Sequence, residues 1–120
     1  MLSEVDIEDY KEMGYKQPEG RKDDAEKPPM ALLDSQFLEG VARVLGFGAK
    51  KYAPNNWRGG IAYTRLISAA MRHLSAINRG EDIDPESQYP HVYHLGCTVM
   101  FLSGMMATRP DLDDRWKETK

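Results

Sequence analysis

The sequence predicts an all-α protein, a small helical bundle with an irregular N-terminal arm and a charged C-terminal tail. Three observations carry this expectation. Apolar residues recur at helical spacing in three separate segments between residues 37 and 106. No stretch of useful length alternates apolar and polar residues as a strand would. Glycine- and proline-containing segments separate the periodic runs, and three or four helices of this length pack as a bundle.

The first 29 residues carry 14 charged side chains broken by Gly14, Pro18, Gly20, Pro28 and Pro29. Such a segment buries little apolar surface and reads as a mobile or loosely docked arm. Val5, Ile7, Tyr10 and Met13 are its candidates for a short docking turn. The body spans residues 30–107, and the charged tail 108–120 offers Trp116 as an anchor.

Asp34 or Ser35 can cap the first helix, because a short side-chain oxygen accepts from free first-turn amides. Phe37, Leu38, Val41, Val44 and Leu45 follow the 3.6-residue period, and Gly46 and Gly48 are expected to close it. The run from Ala53 to Gly60 reads as a loop. Thr64 is the expected cap of a second helix with Leu66, Ile67, Ala70, Leu74 and Ile77 on its stripe, ended by Gly80. Pro85 and Pro90 punctuate the next loop. Pro90 suits the first turn of a third helix, where a missing amide hydrogen is harmless. Val92, Leu95, Val99, Leu102 and Met106 form its expected core stripe.

Composition limits the function classes. With 41% apolar and 29% charged residues the chain is that of an ordinary globular domain. Its formal net charge of −3 argues against nucleic-acid binding by phosphate neutralisation. No apolar run is long enough for a membrane span. A lone cysteine, Cys97, excludes an internal disulfide, and the N-terminus lacks a signal-peptide segment. Cytoplasm is the expected compartment.

The most informative residues are the three histidines. His91 and His94 are three apart and share a helix face, and His73 borders the stripe of the preceding helix. Between them lie Glu81, Asp82, Asp84 and Glu86. Imidazoles from two helices and carboxylates from their connector suit a divalent ion. The expected ligands are Glu39, His73, Glu81, Asp84, Glu86, His91 and His94. His73, Glu81, His91 and His94 are the expected catalytic residues. Carboxylate favours Mg²⁺ or Mn²⁺, and imidazole keeps Co²⁺ or Zn²⁺ open. Taken singly, each has a plainer reading: His73 as a satisfied core imidazole, Glu39 as an exposed helix charge, the acidic loop as solvated, and Asp84 as the cap of the turn begun by Pro85.

A second constellation runs from Gly46 to Trp57. Gly46 and Gly48 allow close backbone approach, and Lys50 and Lys51 suit polyphosphate oxygens. Asn55, Asn56 and Trp57 suit a base, Tyr52 is a further substrate-binding candidate, and Arg72 and Arg79 suit a phosphate clamp. This is no Walker loop, since the lysine spacing and following Ser/Thr are absent. Cys97, one turn beyond His94, is expected to be a packed thiol. Met100, Met105 and Met106 are expected in the core or in an oligomer contact.

Several motifs together resemble a known family. They are Lys27-Pro-Pro-Met-Ala-Leu-Leu-Asp, Leu38-Glu-Gly-Val-Ala-Arg-Val-Leu, Phe47-Gly-Ala-Lys-Lys-Tyr, Asn56-Trp-Arg, Arg72-His-Leu, Gly80-Glu-Asp-Ile-Asp-Pro-Glu-Ser and His91-Val-Tyr-His. From about Lys27 to Trp116 the chain resembles the phage and prophage dATP/dGTP diphosphohydrolase, N-terminal, family. That family is similar to the all-α MazG-like nucleoside triphosphate pyrophosphohydrolases, which are metal-dependent and usually oligomeric. The resemblance implies hydrolysis of a purine deoxynucleoside triphosphate to the monophosphate and pyrophosphate, by a homo-oligomer (dimer or tetramer). The MazG-like group carries Glu-x-x-Glu and Glu-x-x-Asp pairs. Here His91-x-x-His94 stands where the second would be, and the first has no clear counterpart. The alternatives are a non-enzymatic helical adaptor with structural histidines and an HD-type phosphohydrolase. The latter needs a His-Asp doublet, which the sequence lacks.

Overall fold

A computed structural model describes residues 23–118. By its contacts the chain divides into two units, Met1–Leu33 and Asp34–Lys120. The first contributes one described element, a 3-10 turn at Met30–Leu32 with no buried residue. Most of the expected arm, with the docking turn at Val5, Ile7, Tyr10 and Met13, lies outside the described residues.

The second unit holds three helices packed together: α1 (Ser35–Lys51), α2 (Tyr63–Asn78) and α3 (His91–Thr108). Helix α3 packs against both others, most extensively against α2. No strand occurs among the described residues; a single antiparallel bridge joins Ile83 and Pro90. The all-α expectation holds. No described helix is long and apolar enough to cross a membrane.

Asp34 caps α1 as expected, its carboxylate accepting from the Phe37 amide at 2.9 Å. The expected stop at Gly46 and Gly48 is wrong. The helix runs through both glycines to Lys51, and the Tyr52 amide bonds back to the Gly48 carbonyl at 2.8 Å. A helix tolerates interior glycine at roughly 1 kcal/mol each. The stop comes at Pro54 and at Asn55, whose φ of 61° is left-handed.

Helix α2 departs differently. Thr64 does not cap it. Ala62 occupies the cap position without a side-chain bond, and the Asp114 carboxylate reaches in from the tail. It accepts from the Thr64 amide at 2.9 Å and from the Thr64 hydroxyl at 2.5 Å. Leu112 packs beside it on the core, and the Arg115 guanidinium lies 5.4 Å from the Tyr63 ring centroid. Trp116, the expected anchor, is 84% exposed and holds nothing on this body. Replacing Asp114 with alanine is therefore expected to lower the thermal midpoint by several degrees, as loss of a helix cap does. Trp116→Ala should leave it unchanged in the same melts.

Gly80 ends α2 as expected, with a left-handed φ of 89°. Pro90 stands one residue before α3 rather than inside its first turn. The expected α3 stripe is largely turned outward. Val92, Val99 and Met106 are 46%, 52% and 47% exposed, and the buried residues are His91, Cys97, Thr98 and Met105. The reason is that α3 is apolar on most of its surface, so periodicity alone does not choose the inward face. Leu74 of α2 is likewise exposed, whereas Leu66 and Ala76 are buried.

The core has two parts. Val41 and Val44 of α1 meet Cys97 of α3, and Tyr63 and Leu66 of α2 meet Met105. Phe101 packs against both. Cys97 is thus the packed thiol expected, its pKa pushed up to about 11 by burial. Met105 is core, whereas Met100 and Met106 are exposed.

Candidate functional site

The loop between α2 and α3 is tightly bonded. The Glu81 amide donates to the Ala76 carbonyl at 3.0 Å, and the His91 amide to the Asp82 carbonyl at 2.8 Å. Asp84 caps the turn begun by Pro85, accepting from the Ser87 amide at 3.1 Å and the Ser87 hydroxyl at 2.8 Å. Gln88 takes a left-handed φ of 64°. The loop therefore holds its acids in fixed places. Asp84 is half-buried, and Glu81, Asp82 and Glu86 are exposed.

Against this loop the three imidazoles meet. His73 Nδ1 lies 2.8 Å from His91 Nδ1, so one nitrogen donates and the other accepts. The His73 ring stacks on His94, with centroids 4.9 Å apart and planes at 10°. His94 Nε2 is 2.6 Å from the Ser87 hydroxyl and 3.5 Å from Asp84 Oδ2. His91 is buried, and its Nε2 has no hydrogen-bond partner. Its nearby oxygen is Glu81 Oε1 at 3.7 Å. A buried, unpaired polar nitrogen is costly, and a site that binds something is a standard reason for one.

Burial lowers the His73 pKa, and neighbouring His94 and His91 lower it further. Burial also lowers His94, against the opposing pull of Asp84. Burial would raise Asp84, but the Ser87 hydrogen bonds and His94 leave it below its ordinary value. Neutral imidazoles beside an ionised carboxylate are the forms that accept a cation or a proton. The same shifts fix a pH dependence. A histidine with a depressed folded pKa contributes stability above its unfolded pKa of about 6.5 and loses it as pH falls through the folded value. Thermal midpoints of metal-free protein should therefore fall steadily as pH drops below about 6.5, and a flat profile between pH 7 and 5 would contradict the shifts.

His73 and His94 of the cluster line a cleft of about 1110 Å³ between the C-terminal half of α1, the following loop and α3, with His91 outside the lining. This is about the size of a nucleotide-scale ligand site. Lys51, Tyr52, Asn56, Trp57, Arg72, His73, Asp84, Glu86 and His94 line it. Glu39, Lys50, Arg79, Glu81 and His91 are not among its lining residues. Glu39 pairs with Arg43 at 2.8 Å on an exposed face, the plainer of its two readings. Arg79 faces Ser75 and Glu81. Lys51 bonds Glu86 at 2.9 Å, which raises the lysine pKa and ties α1 to the acidic loop.

Trp57 is a built wall. Its indole stacks on Phe101 at 4.8 Å, and the Arg58 guanidinium sits 4.5 Å from the ring centroid. A Cβ on Gly104 would come within 2.7 Å of the indole. Sequence reasoning missed Ser87, Phe101 and Gly104. The pattern Asp84-Pro-Glu-Ser87, an acid opening a proline turn, is the signal that could have found Ser87.

The donors are mixed, imidazole nitrogen with carboxylate oxygen, and come in two pairs, His91 with Glu81 and His94 with Asp84. The nitrogen–oxygen separations in these pairs are 3.7 and 3.5 Å. Among the described residues no group of three or more His, Cys, Asp or Glu is placed to hold an ion.

A family model described as "dATP/dGTP diphosphohydrolase, N-terminal" matches residues 17–115. The chain belongs to this family. A relative from Salmonella phage PMBT28, described as "dATP/dGTP diphosphohydrolase", is 38% identical over 96 residues. That match covers 80% of this chain but 33% of the relative, so this member spans about a third of that protein's length. No solved structure matches it.

Proposed function

We propose that the cleft hydrolyses a purine deoxynucleoside triphosphate, of the dATP/dGTP type, to the monophosphate and pyrophosphate with a divalent ion, Mg²⁺ or Mn²⁺. The observation that carries this reading is the meeting of His73 and His94 with Asp84 and Glu86 in the wall of a cleft that also presents Lys51 and Arg72, with His91 bonded to His73. Family membership supports it. His91 with Glu81, or His94 with Asp84 once the Ser87 hydroxyl gives way, would supply two of an ion's ligands. When bound, such an ion neutralises phosphate charge and acidifies water.

The chain's own groups supply the rest. His73 lines the cleft. When His91 Nε2 is free to ligate, the His91 Nδ1 hydrogen goes to His73 Nδ1, so His73 Nε2 carries a hydrogen that it would donate to a phosphate oxygen. This leaves the proton of the attacking water to a loop carboxylate. Lys51 and Arg72 stabilise charge that grows on the leaving pyrophosphate. Tyr52 is exposed and offers its ring to the purine with Lys51 Nζ 5.4 Å from the centroid, whereas the Trp57 indole already carries Phe101 and Arg58. Asn56 offers an amide for the base edge.

The deciding assay is pyrophosphate release from the four dNTPs with Mg²⁺ or Mn²⁺, with and without chelator. Purine-selective release that chelation stops is the expected result. Inorganic triphosphate as product would point to HD-type chemistry. No release from any dNTP would leave the adaptor reading, with the histidines as buried hydrogen-bond partners.

The same reading takes the protein as a homo-oligomer, a dimer or tetramer. Val92, Val99 and Met106 support it, since they form a seven-residue repeat of exposed apolar side chains on one face of α3. Val99→Glu should shift the sedimentation mass to that of a monomer. An unchanged mass would remove this face from the interface.

A further inference from the structure

A second depression of about 410 Å³ lies on α2, lined by Ile61, Thr64, Arg65, Ser68, Ala69 and Arg72. Ile61 and Arg72 also line the main cleft, so the two hollows share a wall. Arg65, Ser68 and Arg72 stand at positions i, i+3 and i+7, one face of a helix. All three are exposed.

The charge pattern is unusual for this chain. It has 19 acidic and 16 basic residues, and most basic side chains from Asp34 onward find a carboxylate. Arg43, Lys51, Arg79, Arg109, Arg115 and Lys117 all do. Among the described residues of this stretch, Lys50, Arg58, Arg65 and Arg72 have no carboxylate within ion-pair distance, and of these Arg65 and Arg72 share this hollow. The acid of the adjoining tail, Asp114, is engaged by the Thr64 amide and hydroxyl, bonds that lower its pKa. Two unpaired guanidiniums flanking a hydroxyl in a hollow that opens beside a nucleotide-sized cleft match a phosphate-bearing anion in charge and geometry.

We infer that the Arg65–Ser68–Arg72 groove is a polyphosphate subsite, which holds the phosphates that extend past Arg72 from the main cleft. The inference deepens the proposed function and rests on it for the identity of the natural ligand, but not for the binding itself. Arg65 and Ser68 are then positioning residues for the phosphate end, distinct from the groups that meet the purine.

The test is calorimetric titration of metal-free full chain with inorganic pyrophosphate, and separately with a non-hydrolysable dGTP analogue and with dGMP. Arg65→Gln is expected to weaken pyrophosphate at least tenfold and Ser68→Ala several-fold, while dGMP binding and the helical circular dichroism stay as in wild type. Arg43→Gln, at an ion-paired surface arginine, serves as the control and should change nothing. If the groove serves the nucleotide tail, the dGTP analogue weakens in parallel with pyrophosphate. If it serves a free inorganic anion, pyrophosphate alone weakens. Wild-type protein that ignores pyrophosphate, or Arg65→Gln and Ser68→Ala proteins that bind it within twofold of wild type, would overturn the subsite. Because no turnover is measured, loss of the diphosphohydrolase reading would show separately, as a failure of dNTP hydrolysis.

Discussion

Replacing His91 and His94 together with asparagine is expected to lower pyrophosphate release from dGTP by about 10²–10⁴-fold, the range for loss of positioned polar groups at a reacting centre. The two imidazoles differ in what they hold. His91 is buried and bonded to His73, with Nε2 aimed toward Glu81 at 3.7 Å. His94 stacks on His73 and reaches Ser87 and Asp84. Removing both strips each histidine–carboxylate pair of its nitrogen and frees the His73 ring to turn. Asparagine keeps a polar group at each position and limits the cavity left by the ring. Circular dichroism should stay helical, and the thermal shift caused by Mn²⁺ in wild type should vanish. Release within tenfold of wild type in a folded double mutant would end the assignment.

Gly40→Ala is expected to destabilise the protein by about 1–2 kcal/mol, against the usual preference for alanine in helices. A Cβ at Gly40 would come within 2.5 Å of three ring atoms of Tyr93. That ring belongs to α3 and packs on the Val41–Val44–Cys97 cluster, so moving it disturbs the α1–α3 contact. Overpacking of this kind costs about 1–3 kcal/mol, offset in part by roughly 1 kcal/mol of helix propensity. The thermal midpoint should fall by about 5–15 °C for a domain of this size. Gly46→Ala and Gly48→Ala, in the same helix, should act oppositely. Nothing lies within 4 Å of a Cβ at either, so each should stabilise by about 0.5–1 kcal/mol. Both residues line the cleft. A gain in stability accompanied by weaker nucleotide binding would show that these glycines keep the wall low for a ligand. A Gly40→Ala melt equal to wild type would refute the packing argument.

The contrast among these glycines shows what the sequence could and could not disclose. Helical period, the Asp34 cap and the Gly80 exit follow from local rules, and each was legible. So was the meeting of His73, His91 and His94, because a short connector between two helices brings facing residues together. What was illegible depends on distant partners. Gly46 and Gly48 look like a helix end, but only the surrounding space distinguishes a stop from a smooth surface. The inward face of α3 is chosen by two neighbours, and a helix apolar on most sides gives no hint of which. Trp57 reads as a base platform until Phe101 and Gly104 are seen beneath it. Glu39 and Lys50 read as site residues because they neighbour the right motifs, yet neither lines the cleft.

The carboxylate that closes the start of α2 arrives fifty residues after the amide it binds. A ribosome adding about 5–20 residues per second needs roughly 3–10 s to deliver it. During that interval the segment bearing Arg72 and His73 exists with an open first turn, and its neighbour α3 is still being made. Closure of that first turn is thus timed by translation, since its partner is among the last residues of the domain to be made.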